Sequence, residues 1–378
     1  VSRGLGDVYK RQIHSGTKPT SLANPDLRWE TSEQLDFGFD SRFFNNSLSF
    51  SFDWFKKDTK DMLMERPIPL YVGSGSPLSN VGTLTNQGIE LEVGYKLSVD
   101  KVNLSFLANA SYVKNEIKNL GNQTGYIDKE SLPTLGTVSR NENGYPIGYF
   151  FGYKAIGVFQ TQEEIDSYIS PATGKPIQPN AAPGDTKFED LNGDGVISDD
   201  NEDRTMIGKP NPDWMVGLTV AADWNGFDLS AFFQGSFGAD VFDALRRYEL
   251  AAVNYTSDAL ERWTGPGTSN SMPRIVLGDT PKNFRPSTLL VHDASFLRLR
   301  NLQVGYTLPA QLTRKAYIQR LRFYASFDNL LTITGYKGMD PEIGSTMGID
   351  KGVYPQARVY TFAVSYTHLR AHETLANL

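Results

Sequence analysis

The chain has no cysteine among its 378 residues. That excludes disulfides, thiolate metal sites and a cysteine nucleophile together. It also lacks any apolar run near the ~18 residues that a membrane-spanning helix needs. With only 39% hydrophobic residues, a helical membrane protein is excluded. Charge is scarce as well: charged residues are 21%, and 37 Lys and Arg against 43 Asp and Glu leave a net charge of −6. Nucleic-acid binding calls for clustered basic surface, so nucleic acid is not an expected partner. What is abundant is aromatic residues, 12% of the chain, alongside 34 glycines. Aromatics with glycine and little charge fit a sheet facing something other than water.

The two ends carry no pattern. The chain opens on Val1, and the stretch to Gln12 has neither helical nor strand periodicity. Ser365 to Leu378 breaks the alternation of the run before it. Both ends resemble translated sequencing-adaptor read-through, so residues 1–19 are expected to be non-native read-through and loop, 365–378 non-native read-through, and 20–364 to hold the domain. His368 and His372 stand four apart, but the pattern is not HExxH and carries no metal assignment.

Between the ends, apolar and polar residues alternate repeatedly. Leu35, Phe37 and Phe39 alternate with Gln34, Asp36, Gly38 and Asp40. After Asn45-Asn46, Leu48, Phe50, Phe52 and Trp54 alternate with Ser47, Ser49, Ser51 and Asp53. Ile89, Leu91, Val93, Tyr95 and Leu97 follow the same rule against Glu90, Glu92, Gly94, Lys96 and Ser98. Val102, Leu104 and Phe106 come after a turn at Asp100-Lys101. Val216 to Trp224 runs into Asn225-Gly226, a strong hairpin signal, and Phe227, Leu229, Ala231, Phe233 and Phe237 return. Leu302, Val304, Tyr306 and Leu308 precede Pro309, and Leu321, Phe323, Ala325 and Phe327 follow it. Tyr360, Phe362 and Val364 form the last run. Period two over nine segments of roughly ten residues predicts antiparallel strands with one wet and one apolar face.

Such strands serve either a β-sandwich, whose apolar faces meet inside, or an outer-membrane barrel, whose apolar face meets lipid around a wet lumen. Strand length favours the barrel, because sandwich strands are nearer ~5–6 residues. Trp54, Tyr95, Trp224 and Tyr306 near strand ends fit an aromatic girdle. Connections at 44–46, 99–101, 225–226 and 309–319 are short, whereas those at 59–84, 115–213, 238–295 and 333–354 are long. The strict alternation sends every long loop out of one end, the asymmetry of short periplasmic turns and long extracellular loops. Bacterial single-chain barrels close on an even strand number, so nine strands imply part of something larger. The expected class is all-β, the C-terminal part of a transmembrane antiparallel β-barrel. The alternative is a secreted, calcium-stiffened β-sandwich acting as an adhesin or lectin.

Specific motifs sit in this frame. Asn24-Pro-Asp-Leu-Arg-Trp-Glu30-Thr31 resembles the NPDLKWE-type motif of SusC/RagA-family TonB-linked outer-membrane proteins. Collinear stretches are similar to the same family: Asp58 to Leu63, Asn80 to Leu91, Gly144 to Tyr149, Pro183 to Gly195, Ile207 to Trp214 and Phe296 to Leu302. The resemblance covers residues 20 to 364. It implies a barrel of about 22 strands with an N-terminal plug in the cell outer membrane. It further implies TonB-driven import of glycans or peptides and a SusD-like surface lipoprotein as partner. By the same resemblance the protein is a transporter surrounded by outer-membrane lipid and not an enzyme.

One constellation carries metal chemistry. Asp190-x-Asn192-x-Asp194-Gly195-Val196 matches a calcium loop, with oxygen ligands at alternate positions, Gly at the sharp turn and the Val196 carbonyl following. Position 12 is Asn201 rather than an acid, and Asp203, two residues on, is the expected closing ligand. Ca²⁺ there would stiffen the long 115–213 connection.

Other groupings are weaker. Glu90 and Glu92 share the wet face, which a lumen wall explains as well as a glycosidase pair does. Arg298 and Arg300 have the parity of Leu302 and Val304, which predicts a bulge near Asn301 or a strand end above the membrane. Trp263 in Trp263-Thr-Gly-Pro-Gly-Thr268 offers an aromatic surface for sugar. Val241, Leu245, Tyr248 and Ala252 recur at helical spacing and predict a short loop helix.

Overall fold

The structure is a computed structural model and describes residues 24–65, 75, 77–199, 202–245, 254–343 and 347–368. Nine strands form one sheet in simple sequential order. They are β1 (Thr31–Phe43), β2 (Leu48–Lys60), β3 (Thr83–Val99), β4 (Val102–Asn119), β5 (Trp214–Trp224), β6 (Phe227–Phe237), β7 (Phe296–Thr307), β8 (Ile318–Thr334) and β9 (Val359–His368). Every neighbouring pair is antiparallel. The expected strand number and the alternation of short and long connections are both present. Turn chemistry accounts for the short ends. Asn225 and Gly226 both take positive φ, 48° and 88°, the backbone of a tight hairpin whose twist suits the flanking strands. β1 and β9 are the two edges, and the sheet does not close.

Register sorts side chains into two faces. Leu229, Val304, Ala325 and Phe362 lie opposite one another on β6 to β9. On the other face Ser230, Gln303, Ser326 and Thr361 form the neighbouring row. The apolar row is uncovered, with Val304 41% and Phe362 78% exposed. Among the described residues no second sheet packs on this face, which overturns the β-sandwich alternative. Apolar residues left bare on a sheet this wide need lipid rather than water.

The hydrophobic cores lie elsewhere. Val138, Phe150, Phe242, Leu290 and Ile349 form a buried cluster drawn from three long connections. Met64, Leu84, Ile117, Leu120 and Ile127 form a second, where β3 and β4 meet the loops. Short strands reinforce this body: Asp240–Asp243 pairs with Val291–Asp293 on one side and with Ile349–Asp350 on the other. The long connections thus fold together into one body above the sheet.

Three sequence expectations need correction or placement. Val241 lies in the Asp240–Asp243 strand, 2% exposed, and not in a helix; cross-strand pairing won over a helical spacing, while Tyr248 and Ala252 lie outside the described residues. The last strand runs on to His368, with Tyr366 continuing the alternation and pairing with Leu321, so Val364 does not end the element. The stretch 1–19 and residues 369–378, His372 included, lie outside the described residues.

Candidate functional site

The wet face and the loop body carry the polar groupings of the molecule. Glu90 and Glu92 line a shallow groove there with Asp40, Ser51, Asp53 and Asn109. Ser51 donates to Asp40 at 2.5 Å. The arrangement is an acidic wall spread over β1 to β4.

Further along the wet face, glycine makes room for charge. A Cβ on Gly305 would stand 2.5 Å from Arg322 Nη2 and 2.6 Å from Asp228 Oδ1. Its absence lets Arg322 on β8 reach across β7 to Asp228 on β6, with Nε donating at 2.9 Å.

The two arginines of β7 are explained by the predicted bulge. Toward β6, pairing passes from Asn301 to Leu299 and leaves Arg300 as the extra residue; toward β8 the same step also skips Asn329 and Leu330. The bulge reverses parity, so Leu299 joins the apolar face opposite Phe233 and Leu331, and Arg298 turns to the wet face opposite Gln234 and Thr332. Arg298 is 2% exposed. It donates to Asp340 at 2.5 Å, Glu342 at 2.9 Å and the Thr332 hydroxyl at 2.9 Å. Arg300 donates to Glu342 at 2.5 Å and to Gln234 at 2.7 Å. Burial alone would raise the Asp340 carboxyl, but main-chain N–H groups of Gln356 and Glu342 and the Arg298 guanidinium hold it below its ordinary value. Two arginines of a barrel strand thus clamp two acids of the last long loop. Charge-assisted pairs of this kind are stronger than neutral ones.

The motifs that carry the family resemblance become joints between loops. Asn80 accepts from the Arg28 N–H at 2.6 Å and donates to the carbonyls of Arg28 and Asp61. Glu30 accepts from the Leu63 N–H at 2.7 Å. Three motifs far apart in sequence therefore meet at the loop end of β1 to β3. Asp185 is 2% exposed and accepts both Arg274 Nε at 2.6 Å and Nη2 at 3.1 Å, together with Asn283 Nδ2. That bidentate pair holds the Arg274 guanidinium above its ordinary value. Trp263 is half-buried over Gly184 and donates to Gln160; it is a packed loop side chain.

The acidic loop adopts the sharp turn expected of it. Gly195 has φ 87°, and Asp190 accepts from the Gly193 and Gly195 N–H groups at 2.8 and 2.9 Å. Asn192 and Asp194 each accept from the N–H two residues on. Asp203 is fully buried and closes the loop by accepting from the Leu191 and Ser198 N–H groups; burial pushes its carboxyl up. Among the described residues no group of three or more carboxylates and imidazoles comes together tightly enough to hold a metal. A bound ion would have to draw in the Asn192 and Val196 oxygens as well.

Sequence reasoning missed Asp340 and Glu342, and reached Asp185 only as part of the Pro183 to Gly195 stretch without its partner. Each acts on a partner more than forty positions away, and no local pattern signals that.

Comparison with known proteins bears on these features. A family model described as TonB dependent receptor-like, beta-barrel, matches residues 2–330. TonB-dependent receptor P3 of Formosa agariphila is 33% identical over 372 residues, covering 95% of this chain and 36% of its own length. TonB-dependent receptor SusC of Bacteroides thetaiotaomicron is 29% identical over 368 residues, covering 96% and 34%. The solved structure of the RagAB peptide transporter superposes with a TM-score of 0.73 at 28% identity, over 91% of this chain and 36% of that one. The chain spans about a third of the length of these relatives.

Proposed function

We propose that this chain, which belongs to the TonB-dependent receptor β-barrel family, supplies wall and extracellular cap to an outer-membrane importer of oligosaccharides or peptides. Proteins of this family, SusC and RagA among them, are outer-membrane β-barrels, and the family is one of receptors and transporters rather than enzymes. The observation that carries the reading is the nine-stranded sheet whose apolar face is bare while the described parts of the long connections fold together at one end. Energy would come through TonB, and a SusD-like surface lipoprotein would sit on the cap. Support for the partner lies in the likeness to SusC and to one half of RagAB. Uptake tests this reading. Cells carrying the full-length receptor with its lipoprotein should accumulate a labelled oligosaccharide or peptide and lose that accumulation when TonB is deleted. Accumulation indifferent to TonB overturns it.

A structural Ca²⁺ at Asp190, Asn192, Asp194, the Val196 carbonyl and Asp203 is the second element of the proposal. The turn at Gly195 and the placement of Asp203 beneath the loop support it, and hard oxygen donors suit this ion. Calcium should protect the connection from protease in the native protein and not in Asp190→Asn/Asp194→Asn. Equal cleavage of both proteins with and without calcium would make the motif an ordinary acidic turn.

A further inference from the structure

A cavity of about 470 Å³ opens in the loop body, lined among others by Tyr153, Asp199, Arg204, Asp279, Lys282 and Arg285. Three cations face two acids there, and the acids are unequal. Both oxygens of Asp279 accept main-chain N–H groups, from Asn283 and Phe284, so its charge is held by the backbone. Asp199 is different: its side chain is 69% exposed, and it pairs with Lys282. Its other oxygen stands 3.9 Å from Arg285 Nη1, too far for a hydrogen bond. That Nη1 is buried without a hydrogen-bond partner. The Arg285 guanidinium cannot easily turn away, because it lies against the rings of Tyr153 and Phe188, 4.8 and 4.9 Å from their centroids. Tyr153 also donates to the Ser198 carbonyl at 2.7 Å, which fixes the backbone from which Asp199 projects.

We propose that this cavity binds a carboxylate group of the imported solute, a reading that rests on the importer assignment above. Asp199 is the internal stand-in: an exposed carboxylate poised between Lys282 and Arg285 marks where a solute carboxylate fits. The solute group displaces Asp199 outward and satisfies the buried Arg285 N–H that Asp199 leaves open. A fixed guanidinium is pre-organised for a planar carboxylate, and the partly enclosed site weakens the field less than open water does.

The test is calorimetric binding to the full-length receptor in detergent, with D-glucuronate against D-glucose and the end-capped dipeptide acetyl-Glu-Glu-amide against acetyl-Gln-Gln-amide. At least one charged probe should bind where its neutral counterpart does not, and the one that binds names the source of the carboxylate. Lys282→Gln should weaken that binding severalfold, and Asp199→Asn, which removes the competitor, should tighten it severalfold. Both substitutions are at exposed side chains and leave the packed Arg285 in place. Charged and neutral probes binding alike, no binding to wild type and Asp199→Asn both, or variants indistinguishable from wild type would each overturn the proposal. No uptake enters the measurement, so its failure leaves the importer reading standing, and failure of TonB-dependent uptake leaves this result readable.

Discussion

Phe37 in the sheet is 65% exposed and Phe362 is 78% exposed, whereas Phe150, Phe159 and Phe242 in the loop body are at 0%. One residue type meets opposite fates within one chain. The loop body stands in water and must bury its apolar side chains against each other, so one of its clusters recruits three separate connections. The sheet needs no such partner, because lipid is as apolar as the side chains that face it. Two solvents, rather than two compositions, separate the regions.

The contrast can be broken most severely in the cap. Phe242→Ala should cost the loop body about 3–5 kcal/mol through lost transfer energy and an unfilled cavity. Faster proteolysis or hydrogen exchange in the long connections, with the heat-resistant migration of the barrel unchanged on gels, would check it. Phe362→Ala, facing lipid, should leave both measurements near wild type.

Asp340→Asn should come next, at about 3 kcal/mol, because Arg298 would remain buried with one of its two acids gone. The expected readout is exposure of the 335–358 connection to protease. Its pH dependence has a definite sign. The Asp340 carboxyl is held below its ordinary value of 3.8, so its contribution is complete above that value and fades as pH falls through the lower folded one. The connection should stay docked at mildly acidic pH and release only in stronger acid, a transition that Asp340→Asn should lack.

Sheet polarity offers a third and smaller effect. Val304→Arg on the lipid face should cost about 2 kcal/mol of barrel stability in vesicles, depending on depth. Ser326→Arg on the adjacent wet row should cost little. Equal costs for the two would erase the distinction between faces. Smallest of all, Gly226→Ala should cost about 1 kcal/mol, since its φ is 88° and an added Cβ would stand 2.7 Å from the Thr307 carbonyl oxygen. Denaturant unfolding of the folded barrel would detect it.

Much of this architecture is legible in residue order, and particular residues show why. The run Leu48 to Trp54 alternates with Ser47 to Asp53 because strand side chains project to opposite faces in turn; that information is local. So is the turn at Asn225-Gly226. Even the β7 bulge is readable, as a conflict between Arg298, Arg300 and the parity of Leu302. The spacing of Val241 and Leu245 misled for the converse reason. Four positions in a loop carry little periodic information, and pairing with Val291–Asp293 and Ile349–Asp350 overrode it.

Sequence by itself determined the strands, the end from which the long connections leave, and the turn at Gly195, all legible in patterns a few residues long. Tertiary structure alone decided which acids close on Arg298 and Arg300, how the motifs at Asn24 to Glu30, Leu63 and Asn80 knot together, and that Lys282, Arg285 and Asp199 share one cavity. Those choices join residues from different connections. Their geometry is set when the loop body packs its core, because a side chain's distant partner depends on the packing of everything between them.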